Sequence, residues 1–450
     1  MIEMERIKNL NTNNIQNGDY VIYWMQASQR EEQNHALEFA ITKANKLNKP
    51  LLVYFGITDN YPEANQRHYY FMIEGLKEGQ ISLEKRGIQL LIQHISPEKG
   101  VIELANTASL IVVDRGYTKI ERIWRDFVAK NVSCPLIQVE SNVIIPVEIA
   151  SPKEEYSAAT FRPKIKKHIN YYLKPVERIS PKRRMAQTKF SSFSIEDTNA
   201  AISKLNISRT AKPSQQFIGG TSQAKKHLRD FIESKLDKYS NLKNDPTKHV
   251  LSNMSPYLHL GQISPVYIAL QILETNDPNI DVFLDELIVR RELAFNFVFY
   301  NKTYNSLGGL PEWAKKTLDE HQKDPREYIY SLKQMENAQT HDPYWNAAQK
   351  EMTITGKMHG YMRMYWGKKI IEWTKTPQEA YRIAINLNNK YELDGRGPNA
   401  FTGIAWCFGK HDRPWKERSV FGKVRYMNAN GLKRKFDAEK YIDQINHLSI

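Results

Sequence analysis

Five of the eight tryptophans in this 450-residue chain, Trp345, Trp366, Trp373, Trp406 and Trp415, fall in its last quarter. Trp366 and Trp373 are seven residues apart, which on a helix puts both indoles on one face, two turns from each other. Ordinary core packing fits such a pair. So does a chain of oxidisable rings carrying electrons between a buried redox cofactor and the surface, and spacing alone leaves the choice open. A second candidate lies in DELIVRRELAFNF. There Glu286, between Leu284 and Leu287, puts a carboxyl on an otherwise apolar helix, where it suits the polar edge of a ligand; the Arg-Arg-Glu run beside it also fits a self-paired, solvated face. In LSNMSPYLHLGQISP, Ser252, Asn253 and Ser255 precede a proline-started helix and form either a phosphate cradle or a capped N-terminus. Finally, YELDGRGPNAFTGIAWCFGKHDRPW sets Asp394, Arg396 and Asn399 among glycine turns, the kind of loop that carries function.

These groups need a scaffold, and the sequence describes one in two parts. YVIYW (20–24) and LLVYFGI (51–57) read as buried strands flanking a helix in EEQNHALEFAITKANKL, with further strands at 89–95, 109–113 and 136–140. Strands alternating with helices predict an α/β, Rossmann-like parallel sheet over residues 1–175. It lacks the GxGxxG turn of a dinucleotide site and any Walker-type phosphate loop. Residues 176–220 are polar and proline-punctuated and read as an interdomain connection. Amphipathic helical spacing then predominates, so residues 221–450 are predicted to form an all-α domain.

Lys+Arg number 64 against 50 Asp+Glu, a formal net charge of +14. Ten of the basic residues fall between Phe161 and Phe190, and a second group, from Lys410 to Arg425, alternates with Trp406, Trp415, Phe421 and Tyr426. Cations beside flat aromatic faces suit a nucleic acid with exposed bases. Two cysteines, Cys134 and Cys407, exclude a disulfide framework and a four-thiolate zinc site; no metal site is indicated. No apolar run is long enough to span a membrane, and the N-terminus lacks a secretory core, so a cytoplasmic protein is expected.

Taken together, VIYWMQASQR, EYSAATFRPKI, SPYLHLGQIS, ELIVRREL, MRMYWGKKIIEW and DGRGPN…AWCFGKHDRPW resemble the photolyases, more narrowly the class II cyclobutane pyrimidine dimer photolyases, in order from Val21 to about Asn428. The resemblance implies an N-terminal antenna domain and a C-terminal helical domain that binds FAD and DNA. It implies light-driven electron donation from reduced FAD, as the anionic hydroquinone, to a dimer flipped out of UV-damaged DNA; base flipping is a rule of which photolyases are themselves a standard example. By that resemblance Tyr239 and Ser252, Asn253, Met254 and Ser255 contact FAD. Arg363 and Asp394 form a salt bridge beside its ring, and Asn388, or alternatively Asn399, faces its N5. Trp366, Trp345 and Trp373 relay electrons, with Trp366 nearest the flavin and Tyr330 as an auxiliary donor. Glu286 hydrogen-bonds the dimer, best as a carboxyl kept protonated by burial. Met364 and Trp406 line the substrate pocket, and Arg413, Trp415, Arg418 and Arg425 hold DNA. His411, the nearest histidine to that pocket, is expected to face DNA or solvent. The family's usual Asp and Gly are Gly397 and Ala400 here, and Phe295 and Val298 replace a common Asp and Cys. The antenna is expected to be a deazaflavin of the 8-hydroxy-5-deazaflavin type rather than a folate. The protein is expected to act as a monomer with no obligate protein partner. A cryptochrome-like photoreceptor is the competing reading.

Overall fold

Continuous apolar stretches bounded by turn residues make strands buried on both faces, and the computed structural model, which describes residues 2–185 and 190–448, has five of them in parallel. Lys189, one of the ten clustered basic residues, lies outside the described residues. The strands are β1 (Ile7–Asn9), β2 (Tyr20–Trp24), β3 (Leu51–Ile57), β4 (Gln89–His94), β5 (Ala108–Asp114) and β6 (Leu136–Val139). Their order is β1-β6-β5-β2-β3-β4, with β1 antiparallel to β6. The predicted strands are all present; β1 carried no signal because three half-exposed residues, IKN, have no period to read. Helices fill both faces of the sheet, as crossovers between parallel strands require. The first of them, His35–Leu47, starts where the Asn34 side chain accepts from Leu37 N–H and ends at Asn48 in the left-handed region.

Residues 176–220 do more than connect. Ile195, Ala201, Ile202, Leu205 and Ile207 pack into the core of the sheet domain, and Thr198–Ser203 is a short helix capped by Asp197. The polar composition hid this because the inward-facing side chains are few and irregularly spaced.

The rest is helical, as expected. The helical run that opens it breaks at Lys235 into Thr221–Ser234 and Leu236–Leu242. Buried arginines tie the two halves together through carbonyl oxygens. Arg67 donates to Met352 O at 3.1 Å and Tyr391 O at 2.9 Å, and Arg30 donates to Ser141 O at 2.8 Å and Gly261 O at 2.9 Å. Each such donor satisfies carbonyls that would otherwise be orphaned on burial.

Candidate active site

The helix through ELIVRREL is interrupted at Asp285–Arg290 by one wide, π-helical turn, with Arg291 N–H reaching back to Glu286 O. Such turns are rare and concentrate at functional sites. Arg162, from the EYSAATFRPKI segment, fixes this one by a two-pronged bond to Asp285 at 2.7 and 3.0 Å. The turn leaves Glu286 on the wall of a cavity of about 700 Å³ in the helical half. The carboxyl is not buried, as the sequence reading had it: its side chain is 37% exposed and pairs with Lys243 Nζ at 2.6 Å and Arg290 Nε at 3.3 Å. The flanking leucines misled, because a widened turn rotates Glu286 out of the apolar stripe.

The cavity gathers most of the residues expected to hold FAD. Tyr239, Ser252, Asn253, Met254, Ser255, Arg363 and Asp394 all line it. Tyr239 precedes Lys243 by one helical turn, and its phenol is pushed up by burial and then by the Glu286 carboxylate. Asn253 takes a left-handed backbone (φ 58°), which asparagine tolerates, and its Oδ1 accepts from Lys357 Nζ at 2.9 Å. Arg363 Nη2 lies 3.3 Å from Asp394 and 3.0 Å from Glu392. Burial pushes the Glu392 carboxyl up to about 8, whereas at Asp394 burial, the largest single influence, is outweighed by Arg363, Ser255, Lys357 and His259 together, which hold the group down. Asp394 therefore carries the negative charge of the pair. Asn399 stands in the cavity wall. Asn388 is buried on helix Pro377–Tyr391, its amide donating to Asn389 Oδ1 at 3.3 Å, and lies outside the lining.

The wall fits a large polar cofactor: Arg363 Nε and Arg291 Nε and Nη1 are buried there without a hydrogen-bond partner, donors left over for a bound group. Four contributors had no clear sequence signal. Lys243 follows Tyr239 at helical spacing and Glu392 precedes Asp394 by two residues, so both were within reach of pattern reading. His259 ends the short helix that Ser255 begins, and Lys357 comes from a loop that only the fold brings in. His259, driven down to about 3 by burial and by Arg396, stays a neutral imidazole.

Trp366 sits one turn beyond Arg363 on helix Gly360–Glu372, and all three candidate relay indoles are buried. Trp345, from helix Pro343–Thr355, joins the other two. Its ring is 6.2 Å from Trp366 at an interplanar angle of 6°, and 5.7 Å from Trp373 at 68°. The same-face spacing of Trp366 and Trp373 thus makes room for a third ring. Trp345 Nε1 donates to Trp366 O at 3.0 Å, and Trp366 Nε1 to Gln349 Oε1 at 2.8 Å, so both indoles are fixed in orientation. Tyr330 lies edge-on to Trp373 at 5.5 Å.

On the outer side, Met364 and Trp406 line the cavity, with the Arg290 guanidinium 5.6 Å over the Trp406 ring. Trp415 is exposed between Arg413 and Arg425, at 5.5 and 5.0 Å from its ring, and Arg425 reaches the cavity lip. Arg418 faces elsewhere: it covers Tyr426 and lines a groove shared with Trp373. His411 turns inward, not towards DNA or solvent, with Nδ1 at 2.8 Å from Tyr156 O and its ring edge-on to Phe297.

A second, smaller cavity of about 120 Å³ opens at the carboxyl ends of β2 and β3, where ligands of parallel sheets bind. VIYWMQASQR supplies much of its wall. Trp24 Nε1, Gln26 Nε2 and Gln29 Oε1 are buried there without partners, and Arg396 borders it from the helical half.

Residues 21–182 match the DNA photolyase family model. The chain is 54% identical to the deoxyribodipyrimidine photo-lyase of Methanothermobacter thermautotrophicus, over 100% of this chain and 99% of that one. It is 40% identical to the enzyme of that name from Arabidopsis thaliana, over 95% and 89%. Among solved structures it shares its fold with a class III photolyase from Agrobacterium tumefaciens (TM-score 0.73, 19% identity, 95% and 86% covered) and with a Sulfolobus tokodaii photolyase holding two FAD molecules (TM-score 0.73, 19% identity, 94% and 89% covered). The chain belongs to the DNA photolyase family, flavoenzymes that repair cyclobutane pyrimidine dimers in DNA with light.

Proposed function

We propose that the large helical cavity is both the FAD site and the mouth that receives the flipped dimer, in the manner of a class II enzyme. The observation that carries this is the convergence of Glu286, the Arg363–Asp394 pair and Trp406 on one cavity. FAD, when bound, supplies the light-driven one-electron chemistry. The chain's own groups do the rest. Arg363 keeps a fixed positive charge that favours an anionic ring, and Asp394 holds the guanidinium in place. Tyr239 and the 252–255 stretch hold the polar arms of the cofactor, and Asn388 or Asn399 offers an amide at its N5. Lys243 and Arg290 hold the Glu286 carboxyl at the wall, ready to meet the dimer's polar edge. Trp406 and Met364 offer apolar faces to the extruded bases, while Arg413, Trp415 and Arg425 engage the strand they leave. Trp366, Trp345 and Trp373 form an electron path from the cavity to the surface.

The smaller cavity is proposed to hold the antenna, a deazaflavin in preference to a folate: its aromatic walls suit a flat chromophore, and Arg396 offers a cation to an acidic edge. The family division at residues 1–175, 176–220 and 221–450, a monomeric state and a cytoplasmic location complete the reading. Among the described residues no helix is long and apolar enough to cross a membrane.

The test is dimer loss in a UV-irradiated thymine oligonucleotide, with photoreduced protein, under blue light and in darkness. Repair in light only is expected. Glu286→Ala should lower it by roughly 10- to 150-fold, the worth of a hydrogen bond to a charged group at about 1.5–3 kcal/mol. Unchanged repair in that variant would remove Glu286 from the site.

A further inference from the structure

The electron path does not end at Trp373. That indole borders a surface groove of about 650 Å³, whose rim carries Tyr328 and His341. Tyr330 Oη, beside Trp373, is 2.8 Å from His341 Nδ1, and it also accepts from the His341 backbone N–H at 3.0 Å. That N–H takes one lone pair of the phenol, whose own proton points at the imidazole nitrogen in the tautomer that leaves Nδ1 unprotonated. The imidazole is held flat by Tyr328, whose ring stacks on it at 3.7 Å and 20°. His341 itself is exposed at the groove, so a charge placed on it is solvated at once.

Resting on the relay reading above, we propose that His341 is the proton acceptor that makes Tyr330 a fourth, terminal station of the path. When the indole of Trp373 has lost an electron towards a photoexcited oxidised isoalloxazine in the cavity, it takes one electron from Tyr330. The phenolic O–H bond breaks, its proton forms an N–H bond at His341 Nδ1, and the products are neutral Trp373, a neutral tyrosyl radical and an imidazolium. Lys369 favours that direction, because its Nζ lies 5.5 Å from the Trp373 ring and a cation there penalises a positive indole. The remaining charged groups at the groove are compatible. Lys369 is paired with Glu372 at 2.6 Å, and Asp342 accepts from Tyr365 and from the Tyr344 and Trp345 N–H groups. Arg326, Glu327 and Arg418 complete the rim. The transfer moves the positive charge from a buried ring to a solvated one, which lengthens the charge separation.

Time-resolved absorption and electron paramagnetic resonance on the flavin-loaded protein test this. A neutral tyrosyl radical should follow the tryptophan radical and form more slowly in heavy water. Tyr330→Phe should leave only the tryptophan radical. His341→Gln, which keeps a polar side chain but no comparable base, should cut the tyrosyl yield by about tenfold or more and abolish the isotope effect. An unchanged yield in His341→Gln would overturn the role of His341. Nitrogen NMR of the protein in darkness gives an independent check: His341 Nδ1 should report an accepted hydrogen bond that Tyr330→Phe removes, and a protonated Nδ1 in the neutral ring would refute the geometry. Trp373→Phe separates the two levels, since photoreduction unaffected by it would sink the relay itself, whereas its loss together with a normal tyrosyl yield in His341→Gln would sink only the proton acceptor.

Discussion

The two cavities lie on either side of His259, which lines both, and they are built on opposite principles. The one in the helical half is dense with charge: Lys243, Lys357 and Arg363 stand around it with Glu286 and Asp394, cations in excess. The one at the sheet is walled by strand ends and aromatic rings, with three polar atoms, Trp24 Nε1, Gln26 Nε2 and Gln29 Oε1, left unpaired. A reaction centre has to fix charge that appears during the chemistry, so its charges are preorganised. A light collector needs only to hold a flat chromophore still, and apolar contact with a few donors suffices.

Removing one charge should expose that difference most strongly. Arg363→Ala leaves Asp394 buried without its guanidinium, and breaking such a pair costs about 3–5 kcal/mol. FAD retention on gel filtration should collapse in this variant, with far-ultraviolet dichroism unchanged; retained FAD would show that the ion pair is peripheral. The smaller cavity should instead yield to bulk. Ala64→Trp fills it from its wall, and is expected to abolish sensitisation by a second chromophore in action spectra. Repair under direct excitation of the flavin should stay within about twofold of the unmodified rate, because no charge near the reaction centre is altered. A matching loss of direct repair would mean that the cavities are coupled through their common wall.

A smaller effect concerns acid. His359 Nδ1 accepts from Tyr361 N–H and so caps the helix that carries Arg363 and Trp366. Burial, and then Lys357, drive this imidazole from 6.5 down to about 3. The unfolded chain binds a proton below pH 6.5 and the folded one does not, so stability should fall as pH drops from 6.5 towards 3. At pH 5 the contribution is about 2 kcal/mol. His359→Asn keeps a capping oxygen but cannot titrate, and should flatten melting temperature against pH over that window; an unaltered slope would assign the acid limb to other groups.

What the sequence disclosed follows the same division. The charged cavity was legible because its groups sit in short runs, SNMS, RMYW and LDGRGPN, whose spacing survives folding. Lys357 was not, since it reaches the site from a loop that meets it only in three dimensions; His259, one turn after Ser255, was adjacent to a legible run but carried no signal of its own. The sheet itself was readable strand by strand, apart from β1, but its cavity was not: tryptophan and glutamine at a strand end look the same whether they meet a ligand or each other. The leucines that flank Glu286 pointed to a buried carboxyl, whereas the structure leaves it partly exposed and ion-paired, because an apolar flank does not reveal a widened turn.

That irregular turn sets the register of everything after it. A π-helical turn is what one extra residue makes of an α-helix, and the ladder around Asp285–Arg290 pays for it in poorer bonding. Excising a residue would regularise the helix and swing everything after it by about 100°, taking Arg291, Glu292 and Phe295 away from their present neighbours. The cavity-facing side of the helix and its core-facing side are thus two registers of one segment, held apart by a single residue.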